Sequence, residues 1–327
     1  GALNGALRML TIGSVASAFT LIGIGLVGRA VGLRLDALPI AHIAMPHLAG
    51  AGVTLVLVGL AVKAAAAPAH AWAAAALGRG GATVGLFVGG VGIVGALLVL
   101  TRFAAFSIAA PEIGAGVSAA MAALGAISVV VGSVQAVGAR TLPRLAVYAC
   151  VSQTGCVLVA IALGSPAGFA AALIQILALA ATALALFGGS GVGRIEALSG
   201  LDGFGQRAPL ASAAMTAGAL SLMGAPMTIG FLGRWRFVEA GVGAGWWWAS
   251  LLVIIASLAG VFYGGRLIER MYFRRANAAF AGEKGVWRFA AAPSLVCAIL
   301  VIGVAFAPGA LLRVSAAAAA MLTDAAP

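Results

Sequence analysis

Apolar residues in this chain come in long runs, separated by short segments that carry Gly, Pro and Arg. A helix needs ~20 apolar residues to cross the hydrocarbon core of a bilayer. About nine stretches reach that length: 9–28, 48–77, 81–101, 114–137, 145–164, 167–190, 209–232, 246–265 and 289–307. No period-two alternation of the kind a membrane barrel shows runs through them, so each span must satisfy its own backbone as a helix. The pattern predicts an all-α, polytopic transmembrane helix bundle. The second stretch is too long for one straight crossing, and Pro68 divides it. The seventh carries SLMGAPMTIGF, where Gly224 and Pro226 interrupt the run, so two spans are predicted to be broken helices. Residues 309–322 read as a short terminal helix at the interface.

Composition agrees with this reading. The 327 residues are 63% hydrophobic and 8% charged, which fits no soluble globular class. The formal net charge of +11 does not point to nucleic acid, because the basic residues sit between apolar runs, as the positive-inside rule describes. Arg8, Arg79, Arg140, Arg144, Arg194, Arg207 and the basic loop from Arg266 to Arg288 fall on the side of the N-terminus. Arg29, Arg34, Arg102, Arg234, Arg236 and Arg313 fall on the other side. This bias predicts a cytoplasmic N-terminal end, a C-terminus across the membrane and, for a bacterial protein, an inner-membrane location. Trp246, Trp247 and Trp248 read as part of an aromatic belt, and Gly89, Gly90 and Gly92 as helix-packing positions. Cys150, Cys156 and Cys297 lie within apolar segments without metal-ligand spacing. Nothing resembles a phosphate loop, a nucleophile elbow, a haem-ligand pair or a zinc motif, so no cofactor and no metal are predicted. The start, GALNGALRML, has neither Met nor a signal-peptide pattern and reads as a sequence that begins inside a longer protein.

Lys63 is the one charge between Leu48 and Gly78. It lies about 15 residues, or ~22 Å of helix, from either end of the run, too far for its side chain to snorkel to a headgroup. Such an ammonium must face the protein interior, water or a partner, because placing it in lipid costs ~2.5–3.5 kcal/mol even on the mildest scale. Lysines held away from water release their proton more readily, which suits a residue that takes up and gives off protons. Pro68, five residues on, frees a carbonyl near Ala64, and unwound backbone is tolerated mainly beside a cavity. His70 either passes a proton onward or simply bonds at the kink. Gln135, Gln153, Gln175, Ser152, Thr154 and Thr182 are further polar positions within spans. No acidic residue occupies a span centre, so Lys63 has no evident counter-ion.

Three stretches together resemble a known superfamily. VKAAAAPAHAW is similar to the Lys-containing broken-helix motif of the proton-translocating, antiporter-like membrane subunits of respiratory complex I and of Mrp-type Na+/H+ antiporters. SVQAVGARTLPRLAVYACVSQTGCVLVAIAL resembles that family's segment of a basic loop followed by a polar helix, and ALSLMGAPMTIGFLGRW its second broken helix. The resemblance runs from about residue 4 to residue 307. It implies helices six to fourteen of a fold with about fourteen helices and two inverted repeats of five. Residues 1–101 would end the first repeat, 114–265 would form the second, and 289–327 would be the C-terminal helix and tail.

The resemblance further implies a membrane subunit within a multisubunit complex, moving protons or exchanging them for Na+. Lys63, His70 and Arg234 would lie on the proton path, with Pro68, Gly224 and Pro226 at the helix breaks. It implies no redox cofactor in this chain and leaves open whether the chain counts as an enzyme subunit, a non-redox part of an NADH–quinone oxidoreductase. The carboxylate that pairs with the first Lys in the family lies on the helix before residue 1. Three family positions that are polar in the pattern are Ile93, Leu179 and Ala183 here, and the Lys after the second break is Arg234. Arg234 holds its charge at almost any pH, and reads either as part of the second half-channel or as an interfacial anchor beside Trp235. PMTIGFLGRW leans towards subunit N of the oxidoreductase and GRLIERMYFRR towards the D-type member of the Mrp antiporter. The alternatives are a non-pumping structural homologue in such a complex and an unrelated solute transporter.

Overall fold

The computed structural model describes residues 2–32, 45–78, 80–192, 195–275 and 292–324. Arg34, Asp36, Arg79, Arg194, Lys284 and Arg288 lie outside the described residues, and with them part of the basis for orientation.

Helices form where the apolar runs predict them. They are α1 (Ala2–Val31), α2 (Pro46–Lys63), α3 (Ala71–Leu77), α4 (Gly81–Ala109), α5 (Gly114–Gly138) and α6 (Leu142–Ala162). The second half holds α7 (Pro166–Val192), α8 (Pro209–Met223), α9 (Ile229–Gly243), α10 (Trp247–Phe273), α11 (Ala292–Phe306) and α12 (Pro308–Asp324). Pro46, Pro166, Pro209 and Pro308 each open a helix, where a missing N–H costs nothing. Among the described residues, seven helices are long and apolar enough to cross a membrane, and the bent pair α11–α12, turned by 89°, makes an eighth. The expected count of about nine is reached only by taking α8 and α9 as one broken crossing. Each has 15 residues, and α9 carries Arg234, Arg236 and Glu239.

Two helices organise the bundle. All of α6 except Arg144 and Tyr148 is buried. Its neighbour α7 packs on α4, α6, α8, α9, α11 and α12. The α5–α6 interface is close because glycines let the backbones meet. A Cβ on Gly155 would lie 2.6 Å from the Val129 backbone nitrogen, and one on Gly132 would crowd Ser152 and Tyr148. In α4, residues Gly85–Gly92 widen into a π-helical turn. There Gly85 and Gly89 pack against Phe187 of α7, and Gly90 against Leu184. The packing reading of Gly89 and Gly90 thus has a specific partner helix, whereas Gly92 touches little outside its own helix.

Gly155→Val should push α5 from α6 and destabilise the protein by about 1–3 kcal/mol, as overpacking does. Gly116→Val, in open space on the same pair of helices, serves as the control. Thermal unfolding of the purified protein in detergent should show a lower midpoint for the first variant and little change for the second.

Candidate functional site: two broken helices joined by a buried polar seam

The first break follows Lys63, where seven residues separate α2 from α3. Ala65 takes a left-handed conformation (φ 56°) and the Ala67–Pro68 peptide is cis. Backbone groups left over at such a break need partners when water is absent. Ala64, Ala65 and Ala66 donate back into α2, to the carbonyls of Leu60, Val62 and Ala61. The Ala67 N–H donates to Ser128 Oγ on α5 at 2.9 Å, and the Ala64 carbonyl accepts from Thr154 Oγ1 on α6 at 3.3 Å. Trp72 reaches back from α3, donating its indole N–H to the Val62 carbonyl at 2.8 Å. His70 is 8% exposed. Its Nε2 lies 2.8 Å from Gln135 Oε1, and its ring meets Tyr148 edge-on at 6.2 Å.

Ser152, Gln153 and Thr154 are consecutive on α6, and successive helical residues point about 100° apart. Each therefore meets a different neighbour. Ser152 bonds Ser133 of α5 at 3.0 Å, Gln153 accepts from Gln175 of α7, and Thr154 holds the first break. Gln175 in turn lies against Gly233 of α9, where a side chain would strike its Oε1. Thr182 bonds Ser221 near the end of α8 at 2.9 Å. The structure thus brings every polar span residue singled out in the sequence into a buried or half-buried contact, and α6 links one break to the other.

The second break is built differently from its sequence neighbours but to the same plan. Gly224 ends α8 with φ 74°, a conformation that favours glycine. A Cβ there would also collide with the Arg234 guanidinium. Pro226 lies in the turn that follows, and Thr228 caps α9 by accepting from the Phe231 N–H at 3.3 Å. Arg234 is 4% exposed while Trp235 beside it is 59% exposed, so the reading of Arg234 as an interfacial anchor is overturned. Its guanidinium donates to the Leu222 carbonyl, in the last turn of α8, and to Ser257 Oγ of α10 at 3.1 Å. In both breaks, then, an N–H group from the second half-helix grips a carbonyl in the last turn of the first.

Lys63 has no such partner among the described residues. Its side chain is half-buried on the wall of a groove of about 1050 Å³ between α1, α2 and α4, otherwise apolar apart from two serines. Among the described residues none forms a hydrogen bond or ion pair with its ammonium. Ile93, Leu179 and Ala183 are fully buried among apolar neighbours. No group of His, Cys, Asp and Glu among the described residues is arranged to hold a metal. Sequence reasoning missed Ser128, Ser221 and Ser257, and gave Trp72 no role beyond its place in the VKAAAAPAHAW motif. A serine in a helix commonly bonds its own backbone, and Ser128 does so with Leu124 at 2.7 Å while its lone pair serves the break.

A family model described as NADH:quinone oxidoreductase/Mrp antiporter, transmembrane, matches residues 2–260. The chain belongs to this family. Among curated relatives, NADH-quinone oxidoreductase subunit N of Desulforudis audaxviator is 31% identical over 280 residues, covering 82% of this chain and 55% of the relative. Subunit N of Cereibacter sphaeroides is 31% identical over 277 residues, covering 84% of this chain and 60% of the relative. The chain thus spans little more than half the length of the curated relatives it matches. Among solved structures, a chain of the Mrp complex from a Dietzia species superposes with a TM-score of 0.85 at 22% identity, covering 98% of this chain and 68% of that one. A chain of respiratory complex I from Thermus thermophilus does so with a TM-score of 0.77 at 27% identity, covering 95% and 68%.

Ser128→Ala and Thr154→Val each leave a buried backbone group of the first break unpaired. Each should cost about 1–3 kcal/mol, read as earlier unfolding in a denaturant titration. Thr101→Val, which removes a hydroxyl bonded only to its own helix, should cost less than either.

Proposed function

We propose that this chain is part of a proton-translocating membrane subunit, within a complex I-like NADH–quinone oxidoreductase or an Mrp-type cation/proton antiporter, with Lys63 as its proton carrier. The observation that carries the reading is the place of Lys63, half-buried at the lip of a helix break in a span that holds no other charge. An intramembrane ionisable residue so placed is costly, and that cost is offset where the residue carries protons or ions. Pro68 and His70 shape access to it: the proline keeps the chain from continuing as a helix, and the histidine with Gln135 and Tyr148 lies on the far side of the break. Arg234 marks the second half-channel as a fixed positive charge, since a guanidinium is a poor proton carrier. The names of the curated relatives support the oxidoreductase, and the two solved complexes represent both alternatives. Other membrane subunits are its partners, protons or protons and Na+ its cargo, and the bacterial inner membrane its location, with the N-terminal end cytoplasmic. On this reading residues 1–101 end one inverted repeat and 114–265 form the next.

The second reading, a non-pumping homologue that packs within such a complex, is favoured by Ile93, Leu179 and Ala183. An apolar residue fills each place where the resemblance calls for a polar one.

Proton flux through the assembled complex in liposomes separates the two. Lys63→Ala should lower flux at least tenfold, the order expected when a positioned proton-transfer group is removed, with the complex still assembled. Unchanged flux would leave the non-pumping reading standing.

A further inference from the structure

α4 stands between the Lys63 groove and α7, and its widened turn at Gly85–Gly92 touches both. On the groove side, Phe87, Val91, Gly95 and Val99 form a row spaced by four residues. In an unbroken α-helix, at 100° per residue, such a row would drift by about 120° over its length. The π-helical turn, in which the Ile93 N–H bonds the Val88 carbonyl five residues back, takes up that drift. On the other side, three glycines meet neighbouring helices. A Cβ on Gly85 would strike the Phe187 ring, and one on Gly89 would lie 3.0 Å from Leu77 of α3 and 3.1 Å from Phe187. One on Gly90 would lie 2.6 Å from Leu184. At these three positions α4 presents bare backbone, with no side chain to key it against α7. The helix also begins at a swivel: Gly81 takes φ 76°, and a Cβ there would meet nothing within 4 Å.

We propose that this π-helical turn is a switch, which converts to α-helix and back and so turns Phe87 and Val88 by about 100° in the wall of the Lys63 groove. The inference rests on Lys63 as the proton carrier and names the element that changes its surroundings. Losing the turn removes one residue of slack, so the segment from Gly81 to Val88 rotates against Ile93–Ala109, which stays in place. Backbone bonds are exchanged rather than lost, because each N–H moves from the carbonyl five residues back to the one four back. That matters in an apolar bundle, where a stranded N–H or carbonyl has no water to turn to. Gly85, Gly89 and Gly90 let the segment rotate past Phe187 and Leu184 without one side chain climbing over another, and Gly81 absorbs the rotation at the far end. α7 also carries Thr182, which bonds Ser221 near the end of α8 at 2.9 Å. A turn that shifts Phe187 or Leu184 therefore bears on the second break as well. An element with two discrete arrangements, biased from both sides, is what coupling between distant sites requires.

The test locks α4 to α7 reversibly. A Cβ at Gly90 lies 2.9 Å from Leu184 Cγ, which brings Gly90→Cys and Leu184→Cys within the ~3.5–4.5 Å between Cβ atoms that a disulfide spans. Replacing Leu184 also removes the side chain that Gly90→Cys alone would crowd. Proton flux is measured through the assembled complex in liposomes with the pair reduced, oxidised and reduced again. Oxidation should abolish flux and reduction should restore it. Each single variant, which keeps Cys150, Cys156 and Cys297, should be indifferent to the oxidant. Undiminished flux through the fully cross-linked pair would overturn the switch, and a pair that never cross-links would remove the contact on which it stands. Lys63→Ala, measured beside the pair, separates the two ideas. If that variant stops flux and the cross-link does not, the carrier stands and the switch falls; the reverse outcome rejects the carrier and keeps the switch. In a complex that pumps nothing, the switch is read from amide hydrogen exchange over Gly85–Ile93. Exchange there should be fast in the reduced pair and slow in the oxidised one, and equal rates would count against a turn that rearranges.

Discussion

A helix that breaks inside a membrane leaves backbone groups that lipid cannot satisfy, and the interior of this protein is arranged around that constraint. At two of the helix breaks, after Lys63 and after Met223, side chains take up what the neighbouring backbone leaves over. Ser128 and Thr154 take the Ala67 N–H and the Ala64 carbonyl at the first. Trp72 and Arg234 reach back across the gap to the Val62 and Leu222 carbonyls, one at each break. Without those contacts each break would expose polar backbone at a cost of several kcal/mol per group in hydrocarbon.

This arrangement explains why α6 is at once the most enclosed helix and the most polar within its centre. Ser152, Gln153 and Thr154 point to α5, α7 and the first break in turn, so one short stretch ties three elements together. Gln175 continues the line to α9, beside the turn that carries Arg234. The result is a polar seam through an otherwise apolar bundle, with Lys63 at the lip of the first break and the hydrogen-bonded Arg234 at the second. The two cations differ in bonding: Arg234 holds the helix ends at the second break in place, whereas among the described residues nothing fixes Lys63.

Much of this was legible in the chain. Runs of about 20 apolar residues marked the spans because bilayer thickness fixes helix length. Pro68, Gly224 and Pro226 marked the breaks because proline cannot donate and glycine alone is at ease with positive φ. Which groups serve the breaks was not legible, even where a residue such as Thr154 had been singled out as polar. Ser128 and Trp72 lie 61 and 10 residues from the groups they bond, and a serine that serves a distant N–H reads in sequence like one that bonds its own helix. The burial of Arg234 was hidden for a related reason. A charged residue beside an exposed tryptophan looks interfacial until the helix phase is known, and the roughly 100° between neighbours puts one inside and one outside. The widened turn at Gly85–Gly92 left only a cluster of glycines as its trace.

The proposed proton translocation would require Lys63 to act through loss and gain of a proton, rather than through its charge alone. Ile93, Leu179 and Ala183 give the seam fewer polar groups than the resemblance implies, so the weight on this one residue is greater. The most direct measurement is proton flux through the reconstituted complex carrying Lys63→Arg, which keeps a positive charge of similar reach but does not release its proton near neutral pH. Flux should fall at least tenfold with the complex intact. Flux equal to that of the parent would contradict the carrier role, and would leave Lys63 as a fixed charge that the fold merely tolerates.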